Sequence, residues 1–182
     1  MVSAQALSES DRRIVAIWAA DCAERVLGSF ESEAPDDDRP RDAIARARAF
    51  GHGELGAAGE IRRRFVAGRA ANDVSSPTAV AAARSAAQAS GVAHMGAHAL
   101  GAAAYAAKAA GLAAPERPSA VEDEIHWQLT NMSTEVRAAL ARLPLLGEDS
   151  AGPLGPGLLA SGTLATTIRA IQADVAGGRT TP

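Results

Sequence analysis

The stretch that decides the fold is residues 79–111, which read AVAAARSAAQASGVAHMGAHALGAAAYAAKAAG. Almost every side chain here is alanine or glycine, and alanine has the highest helix propensity because it loses no rotamer freedom on folding. Small side chains also let neighbouring helices approach closely, so the stretch can be buried on several faces. We therefore expect a central Ala/Gly-rich helix, broken or kinked at Ser90 and Gly91, around which the other helices pack.

The larger side chains in the second half of this stretch form one stripe. His94, His98, Tyr105 and Lys108 recur at spacings of four, seven and three residues, which places them on one face of a 3.6-residue helix. A polar stripe on an otherwise small-sided helix predicts hydrogen bonds to neighbouring helices.

Composition favours an all-α fold and argues against several classes of protein. The 182 residues fit one domain, and only 3% of them are aromatic. A net charge of −3 argues against a nucleic-acid binder, and a single cysteine, Cys22, excludes an intramolecular disulfide. The first residues lack a basic region followed by an apolar one, and no run is apolar enough to cross a membrane. We expect a cytoplasmic protein without a membrane contact.

Apolar periodicity predicts a single-domain bundle of about six or seven helices. Ile14, Trp18, Cys22, Val26 and Phe30 recur every four residues and form the buried stripe of the first helix. The expected divisions are a helical domain over residues 1–146, a Gly/Pro-rich linker over residues 147–162, and a short amphipathic helix with a frayed tail over residues 163–182. The helices are expected at residues 11–30, 39–50, 54–70, 79–111 in two halves, 119–143 and 163–175.

Two charged segments are candidate binding surfaces. The first is the acidic run at residues 31–38, in which Asp38 lies where it can cap the second helix. The outer carboxylates of this run are Glu31, Glu33, Asp36 and Asp37. They suit a basic partner and, as exposed charges, are expected to contribute little to stability. The rival surface is the Arg triplet at residues 62–64, which suits an acidic partner and is otherwise a solvated helix face.

Polar residues of the first and central helices could form one internal cluster. Its expected members are Asp21, Glu24, Arg25, His98 and Tyr105. Such a cluster would fix the register between the two helices or supply groups with shifted pKa values.

A metal site is the main alternative to a binding function. His94 and His98, four residues apart on one helix, could share a zinc ion, although residue 95 is methionine and the His-Glu-x-x-His protease pattern is absent. A third ligand would have to come from elsewhere, with Asp21, Glu24, Glu122 or His126 as candidates. No phosphate-binding loop, nucleophile elbow or Cys-His signature is present in the sequence. We therefore expect no metal, no cofactor and no catalytic residue.

Three motifs in order carry a family resemblance. They are residues 18–27 (WAADCAERVL), residues 35–44 (PDDDRPRDAI) and residues 98–109 (HALGAAAYAAKA), with a weaker fit at residues 127–129 (WQL). Together they resemble the immunity type-five-like family of bacterial polymorphic toxin systems over about residues 13–143. The resemblance implies an all-helical, intracellular and non-enzymatic protein that neutralises a cognate toxin by binding it. The region from residue 147 onward lies outside the resemblance.

Overall fold

The computed structural model describes residues 3–63 and 65–177, and every regular element in these ranges is helical. This confirms the all-α fold class. The α-helices are α1 (Glu9–Glu31), α2 (Arg39–Gly51), α3 (Ala57–Arg63), α4 (Val66–Ala70), α5 (Pro77–Gly91), α6 (His98–Ala113), α7 (Ala120–Thr130), α8 (Thr134–Leu140) and α9 (Gly162–Gly177). Short 3₁₀-helices lie at Ala4–Ala6 and Leu158–Ala160.

The described ranges hold nine α-helices rather than six or seven because two predicted helices are divided. The predicted helix at residues 54–70 is α3 and α4, and the one at residues 119–143 is α7 and α8. The second division has a capping signal inside the apolar stripe. The Ser133 hydroxyl accepts a hydrogen bond from the Val136 N–H at 3.2 Å and so starts a new helix.

The central stretch forms α5 and α6, which pack against each other. The predicted break at Ser90 and Gly91 is confirmed, although a turn of six residues, 92–97, follows instead of a kink. Helix α6 also packs against α1, α7 and α9, and its residues 99–107 are all buried. Alanine permits this because its side chain adds almost nothing to the helix radius.

The predicted stripe of α1 lies in the core. Trp18 is 3% exposed, Cys22 and Phe30 are fully buried, and only Ile14 is partly exposed. Burial raises the pKa of the Cys22 thiol well above its ordinary value, so Cys22 is a core residue and not a reactive thiolate.

Residues 147–162 are an irregular part of the bundle and not a free linker. Leu154 is fully buried and Leu159 is 5% exposed, and both belong to the same core as α1 and α6. The buried Gln5 side chain holds the segment, since its amide nitrogen donates to Asp149 Oδ2 and its oxygen accepts from the Leu154 N–H. The predicted docking of the C-terminal helix is confirmed, because α9 packs on α6. Of the predicted frayed end, residues 177–182, Gly177 is the last residue of α9, and residues 178–182 lie outside the described residues.

No helix in the described ranges is long and apolar enough to span a lipid bilayer.

Candidate interaction surface

The acidic run connects α1 to α2 and lies beside the loop before α5. We use the name acidic corner for the carboxylates of this run together with Asp73, which shares Arg39 with Asp37. These residues are Glu31, Glu33, Asp36, Asp37, Asp38 and Asp73. Two guanidiniums, from Arg39 and Arg41, pair with members of the corner. Six carboxylates against two guanidiniums leave an excess of four negative charges.

Glu33 is held by backbone N–H groups at the start of α5. Its carboxylate accepts hydrogen bonds from the Ser75 N–H at 2.5 Å and the Ser76 N–H at 3.1 Å. The bond from Ser75 is the main reason why the pKa of Glu33 lies below its ordinary value, and bonds from Ser76 add to it. Glu33 therefore ties the loop before α5 to the segment that follows α1, so we expect this carboxylate to contribute more to stability than an exposed charge without such bonds.

Stability should depend on pH through Glu33. Its pKa is lowered in the folded chain, so its contribution is fully present above the unfolded value of about 4.3 and is lost as the pH falls further. We expect Glu33→Gln to lower the free energy of unfolding at pH 6–7 and to unfold like the parent chain at about pH 3. Urea unfolding of both chains across this range measures the difference. A difference that stays constant with pH would contradict the assignment.

Asp37 and Asp73 share Arg39. The Arg39 guanidinium donates to Asp37 Oδ1 at 2.8 Å and to Asp73 Oδ2 at 2.6 Å. The side-chain hydrogen bond from Arg39 is the main reason why the pKa of Asp37 is lowered. The corner is therefore cross-linked at Glu33 and at Arg39, which joins Asp37 to Asp73.

Asp38 occupies the N-cap position of α2 as predicted, but its side chain makes no capping hydrogen bond. Its backbone is helical (φ −85°, ψ −2°), whereas a capping side chain needs an extended backbone to reach the N–H groups of the first turn. Asp36 and Asp38 are both exposed, as are Glu33 and Asp73.

The rival basic surface is partly neutralised. Arg63 pairs with Asp42 at 3.3 Å, and Arg62 is exposed on the same short helix. Arg64 lies outside the described residues.

The structure does not unite the five residues expected to form an internal cluster. Asp21 and Glu24 both accept hydrogen bonds from Arg48 of α2, at 2.7 and 2.8 Å. Arg25 instead turns toward α7 and binds Glu124. Residues three and four apart on a helix share a face, but Asp21 and Glu24 lie at the seam with α2 and Arg25 at the seam with α7.

The histidines do not form the expected pair on one helix. His94 is exposed and lies in the turn between α5 and α6, whereas His98 is the first residue of α6. His98 Nδ1 lies 2.7 Å from Gln88 Oε1, so the ring is bound to α5. Tyr105 is buried in the core, as predicted. The expectation that His94 and His98 share one helix face, on which the zinc-site alternative depended, is therefore wrong.

Sequence reasoning missed a polar network between α1, α6 and α7. The buried face of α7 carries Ala120, Glu124 and Gln128, not the apolar residues one position later. Glu124 is 5% exposed and accepts from Arg25 Nε at 2.9 and 3.0 Å, and the Arg25 guanidinium carbon lies 3.9 Å from the centre of the Trp127 ring. The sequence signal that could have revealed this network is the four-residue spacing of Glu124 and Gln128, which places both on one face of a helix.

Gln128 joins this network to α6 and to α1. Its side-chain nitrogen donates to the Ala103 carbonyl of α6 at 3.0 Å, and its backbone carbonyl accepts from Trp18 Nε1 at 3.0 Å. These hydrogen bonds therefore hold α7 against both α1 and α6 in the interior, whereas the acidic corner lies on the surface.

The described residues thus form an all-α bundle with a buried polar network between α1, α6 and α7 and a cross-linked acidic corner on the surface. A family model described as "Imm-5 like putative immunity protein" matches residues 5–135. Because the match covers more than two thirds of the chain, the chain belongs to the Imm-5 like immunity protein family, which confirms the resemblance seen in the three motifs. The searches among curated proteins and among solved structures gave no match.

Proposed function

We propose that this chain neutralises a cognate bacterial toxin by binding it, without catalysing a reaction, and that the acidic corner forms part of the toxin-binding surface. Membership of an immunity-protein family supports the first part. The charge distribution supports the second.

The acidic corner is the observation on which the proposed surface depends. Its excess of four negative charges exceeds the net charge of −3 for the whole chain, so the remaining surface is close to neutral. A toxin that attacks nucleic acid needs a basic cleft, because its substrate is a polyanion. An acidic surface would attract such a cleft and occupy the place of the substrate. The encounter would take place in the cytoplasm.

Asp36 allows the proposed surface to be tested without disturbing the bonds of Glu33 and Asp37. We expect Asp36→Lys to slow association with the cognate toxin domain by about threefold to tenfold at low salt, because steering by charge acts mainly on the on-rate. The effect should shrink as salt is added, since salt screens exposed charges. Stopped-flow or surface-plasmon measurements of the on-rate provide the readout.

Glu116→Lys is the matched control, because it makes the same charge change at an exposed site in the turn between α6 and α7. Equal effects of the two variants would show that only net charge matters. An on-rate reduced by Arg63→Glu but unchanged by Asp36→Lys would move the binding surface to the basic face.

A further inference from the structure

A groove of about 290 Å³ lies between α1 and the beginning of α8. Its walls are apolar and come from Ile14 and Ile17 of α1 and Val136 of α8. Its polar side chains include Asp21 and Glu135, one from each helix. The groove thus combines an apolar channel with two carboxylates.

Both carboxylates are positioned by the surrounding structure. Asp21 is 44% exposed and its second oxygen has no hydrogen bond within the described residues, since Arg48 binds only Oδ1. Glu135 is exposed in the first turn of α8, and a hydrogen bond from its own backbone N–H is the main reason why its pKa is lowered. Among the described residues that line the groove, none is an arginine or a lysine.

We propose that this groove receives an arginine or lysine side chain of a partner protein. The alkyl part of such a side chain would cover Ile14 and Ile17, and its cationic end would meet Asp21 and Glu135. Asp21 already pairs with Arg48 through Oδ1, but a purely apolar side chain would desolvate its Oδ2 and the Glu135 carboxylate without offering a donor, and an acidic one would face two like charges. Charge complementarity thus favours a cation. The inference rests on the protein-binding function proposed above and adds a second contact to the acidic corner.

A fixed aromatic surface adjoins the groove. Trp127 lies one helical turn before Asn131 at the groove edge, and the Asn131 side-chain nitrogen donates to the Trp127 carbonyl oxygen at 2.9 Å. Arg25 is stacked on the half-buried Trp127 and its charge is balanced by the buried Glu124. Tryptophan and arginine are the side chains that most often dominate binding energy in interfaces, so this pair extends the docking surface beside the groove.

A blocked amino acid tests the groove without any toxin. We expect Nα-acetyl-arginine methylamide, titrated into the ¹⁵N-labelled full chain, to shift the amides of residues 14–21 and 131–136 in a saturable way, with a Kd on the order of 1 mM. The same derivative of glutamate should not shift them. Glu135→Lys should abolish the shifts, and Glu122→Lys should keep them, because Glu122 has the same position in the first turn of α7 but does not line the groove. Shifts that persist in Glu135→Lys, or no saturable shifts at all, would overturn the proposal.

The toxin domain provides the second measurement. Glu135→Lys should raise the Kd for the toxin at least tenfold, whereas Glu122→Lys should change it less than twofold. If the parent chain binds the toxin and both variants bind equally well, the groove is not the contact and the proposed function stands. If the parent chain binds no toxin, the proposed function fails, and the arginine titration still decides whether the groove binds a cationic side chain. Unchanged amide shifts elsewhere in each variant would show that its fold is intact.

Discussion

Replacing Trp18 with alanine is expected to lower the free energy of unfolding by about 3–5 kcal/mol, the range for truncation of a large buried aromatic side chain. Trp18 is 3% exposed and packs in the hydrophobic core. Its indole N–H also satisfies the carbonyl of Gln128, one of the last four residues of α7, where no intrahelical donor follows. Denaturant unfolding measures the loss.

Trp18→Phe separates the two contributions. It keeps most of the buried ring but leaves the Gln128 carbonyl without its donor, so we expect a smaller loss of about 1–3 kcal/mol. A midpoint of unfolding that is unchanged in Trp18→Ala would show that the stripe of α1 is wrongly assigned.

Arg25→Ala is expected to destabilise the chain by about 3 kcal/mol, because it leaves the carboxylate of Glu124 buried without its partner. Arg25 is itself 36% exposed, so most of the loss comes from the stranded carboxylate and not from the loss of an ion pair in water.

A second substitution tests that explanation. In Arg25→Ala/Glu124→Gln the buried charge is gone, so we expect the double variant to recover a substantial part of the lost stability. Urea unfolding of the parent chain, both single variants and the double variant completes the cycle. Purely additive losses would contradict a coupled pair.

Local patterns were sufficient to predict the helices and the central break. Alanine propensity predicted α5 and α6, and the glycine at position 91 ended α5 as expected. Gly91 and Gly101 also show why the two helices lie so close. A Cβ on Gly91 would lie 2.9 Å from Cγ of the His98 ring, which favours glycine there, whereas one on Gly101 would meet the end of the flexible Gln88 side chain, which would have to move.

The buried face of α7 could not be predicted from its own residues. Apolar periodicity favoured Val121, Ile125 and Leu129, which are only partly buried. Glu124 and Gln128 are buried instead because their partners are Arg25, about a hundred residues earlier, and the Ala103 carbonyl on α6. Hydrogen bonds between segments so far apart in sequence leave no local signal.

The acidic corner was visible in the sequence, but its internal bonds were not. Glu33 and Asp37 looked like free surface charges because their neighbours in sequence are also acidic. Their bonds run to the Ser75 N–H and, through Arg39, to Asp73, and only the fold of α1 against the loop before α5 brings these groups together. The acidic character of the corner was therefore predictable, whereas its internal cross-links were not.

The most direct test of the account is inhibition of the purified cognate toxin domain by the purified chain. We predict that increasing amounts of the chain abolish the toxin's activity at one chain per toxin domain, and that the two proteins elute together from a sizing column. A folded chain that forms no complex and leaves the toxin fully active in molar excess would contradict the account.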